Sequence, residues 1–120
     1  MNHAEELLDH VLAVGRRIRV ELENHGLTMR QFNALRVLRA EPMRIGNLAR
    51  AVEISGPSAV ALVHGLENAG LVRRRPDPHD ARASLVELTP KGIRRLRGAH
   101  AHLVEMLERD AVVDTRTTGA

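Results

Sequence analysis

Residues 55–92 read SGPSAVALVHGLENAGLVRRRPDPHDARASLVELTPKG, and their periodicity changes twice. Ser55 is a helix N-cap residue, and Pro57 is tolerated behind it because the first turn has no use for its missing N–H. Val60, Leu62, Val63 and Leu66 are spaced to give the helix a buried face, and Gly70 closes it. Leu71-Val72-Arg73-Arg74 then reads as a strand, Pro76-Asp77-Pro78-His79-Asp80 as a turn, and Ser84–Leu88 as a second strand. Thr89 caps one more helix, with Pro90 at its first position. Just upstream, a short helix over about Ile45–Val52 turns Leu48 and Ala49 inward. Two helices about three residues apart form a helix-turn-helix, and a β-hairpin directly behind it makes a winged helix.

Outward from this block, Leu7, Leu8, Val11, Leu12, Val14, Ile18 and Leu22 form a wide apolar stripe on a helix over residues 4–24, stopped at Gly26. Thr28 and Gln31 make a capping box, flanked by Leu27 and Phe32 at the staple positions, and predict a helix over 29–40 that ends at Glu41-Pro42. The last helix is expected over Pro90–Arg109, where Ile93, Leu96, His100, Leu103 and Leu107 form a coiled-coil-like seam. The fold expected is mainly α with a small β-hairpin wing: a winged helix-turn-helix with long N- and C-terminal helices, which pack together or on another copy of the chain. It is read as one domain over residues 1–113, with end helices at 1–26 and 90–113, which the family resemblance given below assigns to dimerisation, and a lobe at 27–89, which it assigns to DNA binding. Residues 114–120, which have no apolar periodicity, are expected to be disordered.

A chain of 120 residues with 43% hydrophobic and 28% charged residues fits this single domain. Cysteine is absent, which excludes disulfide scaffolds, zinc ribbons and thiol chemistry. No apolar run reaches the roughly 18–20 residues of a membrane span, and the first residues lack the order of a secretory signal, so a cytoplasmic protein is expected. Phe32 is the only aromatic, and an aliphatic core suits packed helices. All the basic residues but Lys91 are Arg. Residues 1–42 balance to zero charge, whereas residues 71–97 carry a net +5. Such a local excess of guanidinium groups is an electrostatic footprint for a polyanion, and the scattered Arg elsewhere are read as solvated.

The stretches LTMRQFNALRVL, IGNLARAVEISGPSAVALVHGLENAGLVRRR and DARASLVELTPKG together resemble the MarR family of bacterial transcriptional regulators over residues 27–92. The most specific feature is the wing signature, here Asp80, Arg82, Leu88, Thr89 and Gly92. The resemblance implies a homodimer that represses nearby genes, binds double-stranded DNA and is released by a small ligand. It implies that residues 56–69 enter the major groove while the Arg82 wing reaches the minor groove. The DNA-binding residues expected are Arg44, Ser55, Gly56, Pro57, Ser58, Ala61, His64, Arg73, Arg74, Arg75, Asp80 and Arg82. Dimerisation is expected through Leu7, Leu8, Val11, Leu103, Met106 and Leu107.

Two departures from the family pattern stand out. The recognition helix is bare: Gly56, Pro57, Ala59, Ala61, His64 and Gly65 offer no long side chain for a bidentate guanine contact, worth about 1–3 kcal/mol of discrimination. Specificity is then expected from thymine-methyl contact by Ala61, a contact from His64, and wing-dependent shape, unless the small residues serve close packing instead. The stretch after Arg109 leaves room for no more than a stub of the family's final dimerisation helix. His100 and His102 are two apart and face different ways, so no metal site is expected, and no cofactor. An aliphatic, Arg-lined pocket or no effector at all is expected, since Phe32 alone cannot build an aromatic cage. Asp80 with Arg82 is read as an ion pair shaping the wing. There is no phosphate loop, nucleophile motif or paired carboxylate, so the chain is read as a non-enzyme. The alternative reading is a winged-helix protein-interaction module or a low-specificity DNA binder.

Overall fold

The computed structural model describes residues 2–118, with side chains described for residues 2–110. The elements run α1 (His3–Asn24), α2 (Met29–Ala40), α3 (Ile45–Ala51), α4 (Gly56–Asn68), β1 (Val72–Asp77), β2 (Asp80–Leu88) and α5 (Pro90–Thr118). They fall into two compact units: residues 28–97, and residues 1–27 with 98–120. The divisions fall at 27/28 and, inside α5, at 97/98: Leu96 is buried in the larger unit, while Ala99 and Leu103 are buried in the smaller one.

In the larger unit the Thr28 capping box forms in full. The Gln31 N–H donates to Thr28 Oγ1 at 3.1 Å, and Gln31 Oε1 accepts from the Thr28 N–H at 2.9 Å. The helix so fixed buries Phe32, Ala34, Leu35 and Leu38, which share a core with Leu48, Ala49, Ala59, Val63, Leu66, Leu71, Val72, Val86 and Leu96. Ala59 is fully buried, whereas Val60, expected inside, is 50% exposed, and Leu62 is half-buried. The buried stripe of α4 is thus the 59/63/66 row, rotated from the expected one.

α4 ends on Gly70 at φ 74°, where the Leu71 N–H donates to the Leu66 carbonyl and the Gly70 N–H to that of Glu67. This pair of hydrogen bonds is the Schellman closure, and it delivers the chain straight into β1. β1 and β2 pair antiparallel from Val72↔Leu88 to Pro76↔Ser84, with a register break before Asp77↔Asp80. The hairpin is longer than expected: Pro76, Asp77 and Asp80 lie in strands, and only Pro78 and His79 form the turn. The cause is Asp77, whose buried carboxylate accepts from the His79 N–H at 2.8 Å and closes the turn from within. Met43 adds one bridge to the free edge of β2, exchanging both backbone bonds with Val86.

Gly92 explains the Leu-Thr-x-x-Gly signature. A Cβ there would lie 2.1 Å from the Leu71 carbonyl oxygen, which accepts from the Thr89 N–H at 3.0 Å. Thr89 also donates its hydroxyl to the Gly70 carbonyl at 2.6 Å and accepts from the Gly92 N–H at 3.1 Å. One threonine thereby ties the α4 exit to the start of α5, and only glycine admits that approach.

In the smaller unit, Asn2 caps α1 by accepting from the Glu5 N–H at 2.8 Å. Gly26 at φ 69° closes it with the same pair of hydrogen bonds as at α4, from the Gly26 N–H to the Glu23 carbonyl and from the Leu27 N–H to that of Leu22. Arg17 Nη1 donates to Asp110 Oδ1 at 2.9 Å, pairing α1 with α5. α5 continues past the expected end at Arg109 and takes in residues 114–118 of the tail expected to be disordered, since nothing between Asp110 and Thr118 is Gly or Pro. Gly119 and Ala120 lie outside the described residues.

Candidate functional site

The larger unit presents α4 and the hairpin to solvent. Ser55 Oγ accepts from the Ser58 N–H at 3.2 Å and donates to Ser58 Oγ at 2.9 Å. Both serines are thus engaged in capping, and of the leading amides Pro57 has none while that of Ser58 is taken. Of these leading positions Gly56 alone keeps an N–H open to an outside acceptor.

The exposed face of α4 consists of Gly56, Pro57, Val60, Ala61, His64, Gly65 and Asn68. A Cβ at Gly56 or Gly65 would meet nothing within 4 Å. Intramolecular packing therefore does not require glycine at 56 or 65, whereas Ala59 is fully buried and does serve packing. The face is smooth, with a single imidazole.

The cations of the hairpin divide into two kinds. Glu87 on β2 accepts from Arg73 Nε at 2.9 Å with one oxygen and from Arg75 Nε at 2.8 Å with the other. Arg74, on the opposite face of the strand, donates from Nε to Glu67 of α4 at 2.8 Å. The Arg73–Arg75 run is therefore partly neutralised by its own lobe, which its sequence excess did not reveal. The hydrogen bonds from Arg75 and Arg73 hold the Glu87 carboxyl below its ordinary pKa of 4.5.

Arg44 lies at the base of the wing, donating from Nε to Asp77 Oδ2 at 2.9 Å, with Nη2 2.7 Å from the same oxygen and 3.8 Å from Asp80 Oδ2. The His79 N–H, then Arg44, hold the Asp77 carboxyl below its ordinary 3.8. Asp80 does more than pair with Arg82: its Oδ1 accepts from the Arg82 backbone N–H at 3.0 Å, while the guanidinium Nε stays 3.8 Å away. The Arg82 side chain is 96% exposed. Asp80 thus shapes the loop and leaves the Arg82 head in solvent.

Of the residues expected for dimerisation, Leu7, Leu8, Val11 and Leu107 are exposed, with Leu12 and Val104 beside them in the same class. Met106 is half-buried. Leu103 is 6% exposed and belongs to the core of its own unit, so it is not presented to a partner. His100 is half-buried in the seam. A cleft of 410 Å³ on the larger unit is lined by Leu38, Leu88, Ile93 and Leu96 together with Arg39 and Arg97, among others. No helix among the described residues is long and apolar enough to cross a membrane.

The family model that matches the chain is that of the MarR family, over residues 25–83. The fold is similar to that of MepR, a transcription regulator of the Staphylococcus aureus multidrug efflux pump MepA, at TM-score 0.87 and 21% identity, covering 95% of this chain and 84% of that one. A point mutant of the same S. aureus protein, solved bound to an oligodeoxyribonucleotide, matches at TM-score 0.80 and 22% identity over 94% and 83% of the two chains. AbsC, a MarR family transcriptional regulator from Streptomyces coelicolor, matches at TM-score 0.73 and 28% identity over 91% and 79%. Among the curated proteins no match was found.

Proposed function

We propose that this chain, a winged helix-turn-helix of the MarR family, is a cytoplasmic, homodimeric DNA-binding regulator that acts as a repressor and not as an enzyme. In this reading α4 enters the major groove and Arg82 enters the flanking minor groove. The observation that carries it is the pairing, on one lobe, of an unobstructed helix face with an exposed guanidinium at the wing. A narrow minor groove concentrates negative potential, and an Arg head that faces solvent, with its one carboxylate neighbour 3.8 Å away, is suited to it. The smooth face of α4 lets the helix approach base edges closely, with the Ala61 methyl against thymine and His64 as the polar contact. Release by a small ligand would use the cleft, whose aliphatic wall of Leu38, Leu88, Ile93 and Leu96 is rimmed by Arg39 and Arg97 and by Glu41 and Glu87.

Selection of random duplex DNA by the purified protein at moderate salt tests this reading. A palindrome with half-sites about one helical turn apart is expected, and Ala61→Arg should change the preferred bases. Enrichment of no sequence would defeat it. A second reading is favoured by one observation, the ion pairing of Arg73, Arg74 and Arg75 within the lobe. This reduces the charge available for phosphate and makes the smooth face of α4 a protein-docking surface. Phosphate-driven binding weakens by orders of magnitude between low and moderate salt, and protein docking by the apolar face does not.

A further inference from the structure

The smaller unit holds a cluster that the spacing of the histidines along α5 did not reveal. Glu21 and His25 stand at i and i+4 on α1, one helical turn apart and on one face. His102 of α5 meets them there. His25 Nε2 lies 2.7 Å from His102 Nδ1. Glu21 Oε1 lies 3.7 Å from His25 Nε2 and 3.6 Å from His102 Nδ1. These three are the one group of metal-ligand type found among the described residues.

We propose that Glu21, His25 and His102 form a binding site for a divalent transition metal of the zinc type. Two edges of the triangle of ligand atoms have the right size. Zinc bonds of about 2.0–2.1 Å at tetrahedral angles set their ligand atoms about 3.3 Å apart; the edges from Glu21 to the two rings, 3.7 and 3.6 Å, lie near that span, and the 2.7 Å edge between the rings must open by about 0.6 Å to take the ion. The donor set fits as well: two imidazoles and one carboxylate suit zinc, with copper and nickel as competitors in the usual affinity order. The two ring nitrogens at 2.7 Å are hydrogen-bonded to each other, and a bound cation would replace the proton between them. Glu21, facing both, supplies the negative charge that favours a cation.

Burial grades across the site. The His25 side chain is largely enclosed, Glu21 partly so, and His102 opens to solvent. Three protein ligands with one open side leave the fourth position to water or to an incoming group, as in sites that exchange their metal. A bound ion would staple the last turn of α1 to α5. The ligands lie within a few residues of both points where the chain passes from this unit to the other, at 27/28 and 97/98.

The test uses zinc alone with the full chain, titrated in competition with a chromophoric chelator. One ion per chain is expected, with a thermal midpoint that rises with zinc concentration as binding to the folded state requires. His102→Gln changes an exposed side chain and should weaken binding at least tenfold. Glu21→Gln should weaken it too, and His3→Gln should leave it unchanged. Circular dichroism of each variant checks that the fold is kept. Unaltered zinc affinity in folded His102→Gln and Glu21→Gln would overturn the proposal. So would the absence of any competition at micromolar zinc.

Discussion

Glu53 occupies φ 57°, at the turn between α3 and α4, in the left-handed position that Gly26 and Gly70 fill after α1 and α4. A side chain there crowds the neighbouring carbonyl, and glycine relieves the crowding. Glu53→Gly should therefore stabilise the protein by about 0.5–1 kcal/mol, read from urea unfolding. Gly92 is the opposite case. The Leu71 carbonyl occupies the place of its Cβ, and Gly92→Ala should cost more than about 2 kcal/mol in the same assay. At Arg82 the expected effect is on binding, not folding. Arg82→Ala should reduce the slope of log affinity against log salt by about one and leave the unfolding midpoint unchanged. An unchanged slope would remove Arg82 from the DNA contact proposed above. Arg82 could be singled out in the sequence from the Asp-x-Arg signature. That Arg73, Arg74 and Arg75 are already paired could not, because their carboxylate partners come from β2 and from α4.

The wing is held together by charge as much as by the ladder. Asp77 and Glu87 both have carboxyls held below their ordinary values, by the His79 N–H and Arg44 in one case and by Arg75 and Arg73 in the other. A carboxyl whose folded value is depressed contributes stability above its unfolded value and loses it as pH falls through the folded one. The stability of the wing should thus be constant above about pH 5 and decline once pH drops below the ordinary 4.5 of Glu87 and then the 3.8 of Asp77. Urea midpoints measured down to pH 3 should show that decline, and Glu87→Gln should flatten its upper part. Helix ends proved more legible than strand ends. The capping box at Thr28 and the glycine closures are local chemistry, so residues 29–40 fold as expected. The hairpin extends further than the turn-rich composition of residues 76–80 implies, because buried Asp77 satisfies the turn through a partner, Arg44, that is distant in sequence.

For the whole molecule, α1 buries Leu22 alone and leaves Leu7, Leu8, Val11 and Leu12 more than half exposed. An apolar stripe of that kind is what a second chain would cover, and the homodimer proposed here rests on it. Leu8→Asp combined with Val11→Asp should convert a two-chain species to a one-chain species in sedimentation equilibrium while leaving the larger unit folded. Two-chain behaviour retained in the double variant would place the interface elsewhere. Leu103 should behave differently from these residues: it is buried in its own unit, so Leu103→Ala should lower stability by about 2–5 kcal/mol as a cavity-forming change.

Periodicity, caps and glycines are short-range properties, and they were enough to determine the helices of the described residues, the hairpin and their order, while Arg82 was marked out by the family's wing signature. Tertiary structure alone decided which row of α4 faces the core, since adjacent helical rows differ by one residue and only the packing partners choose between them. It also decided which arginines are neutralised and where the division inside α5 falls. The meeting of Glu21 and His25 with His102 belongs to the same class. Each of these depends on groups distant along the chain, and the distance between two such groups is set only when the elements carrying them have packed.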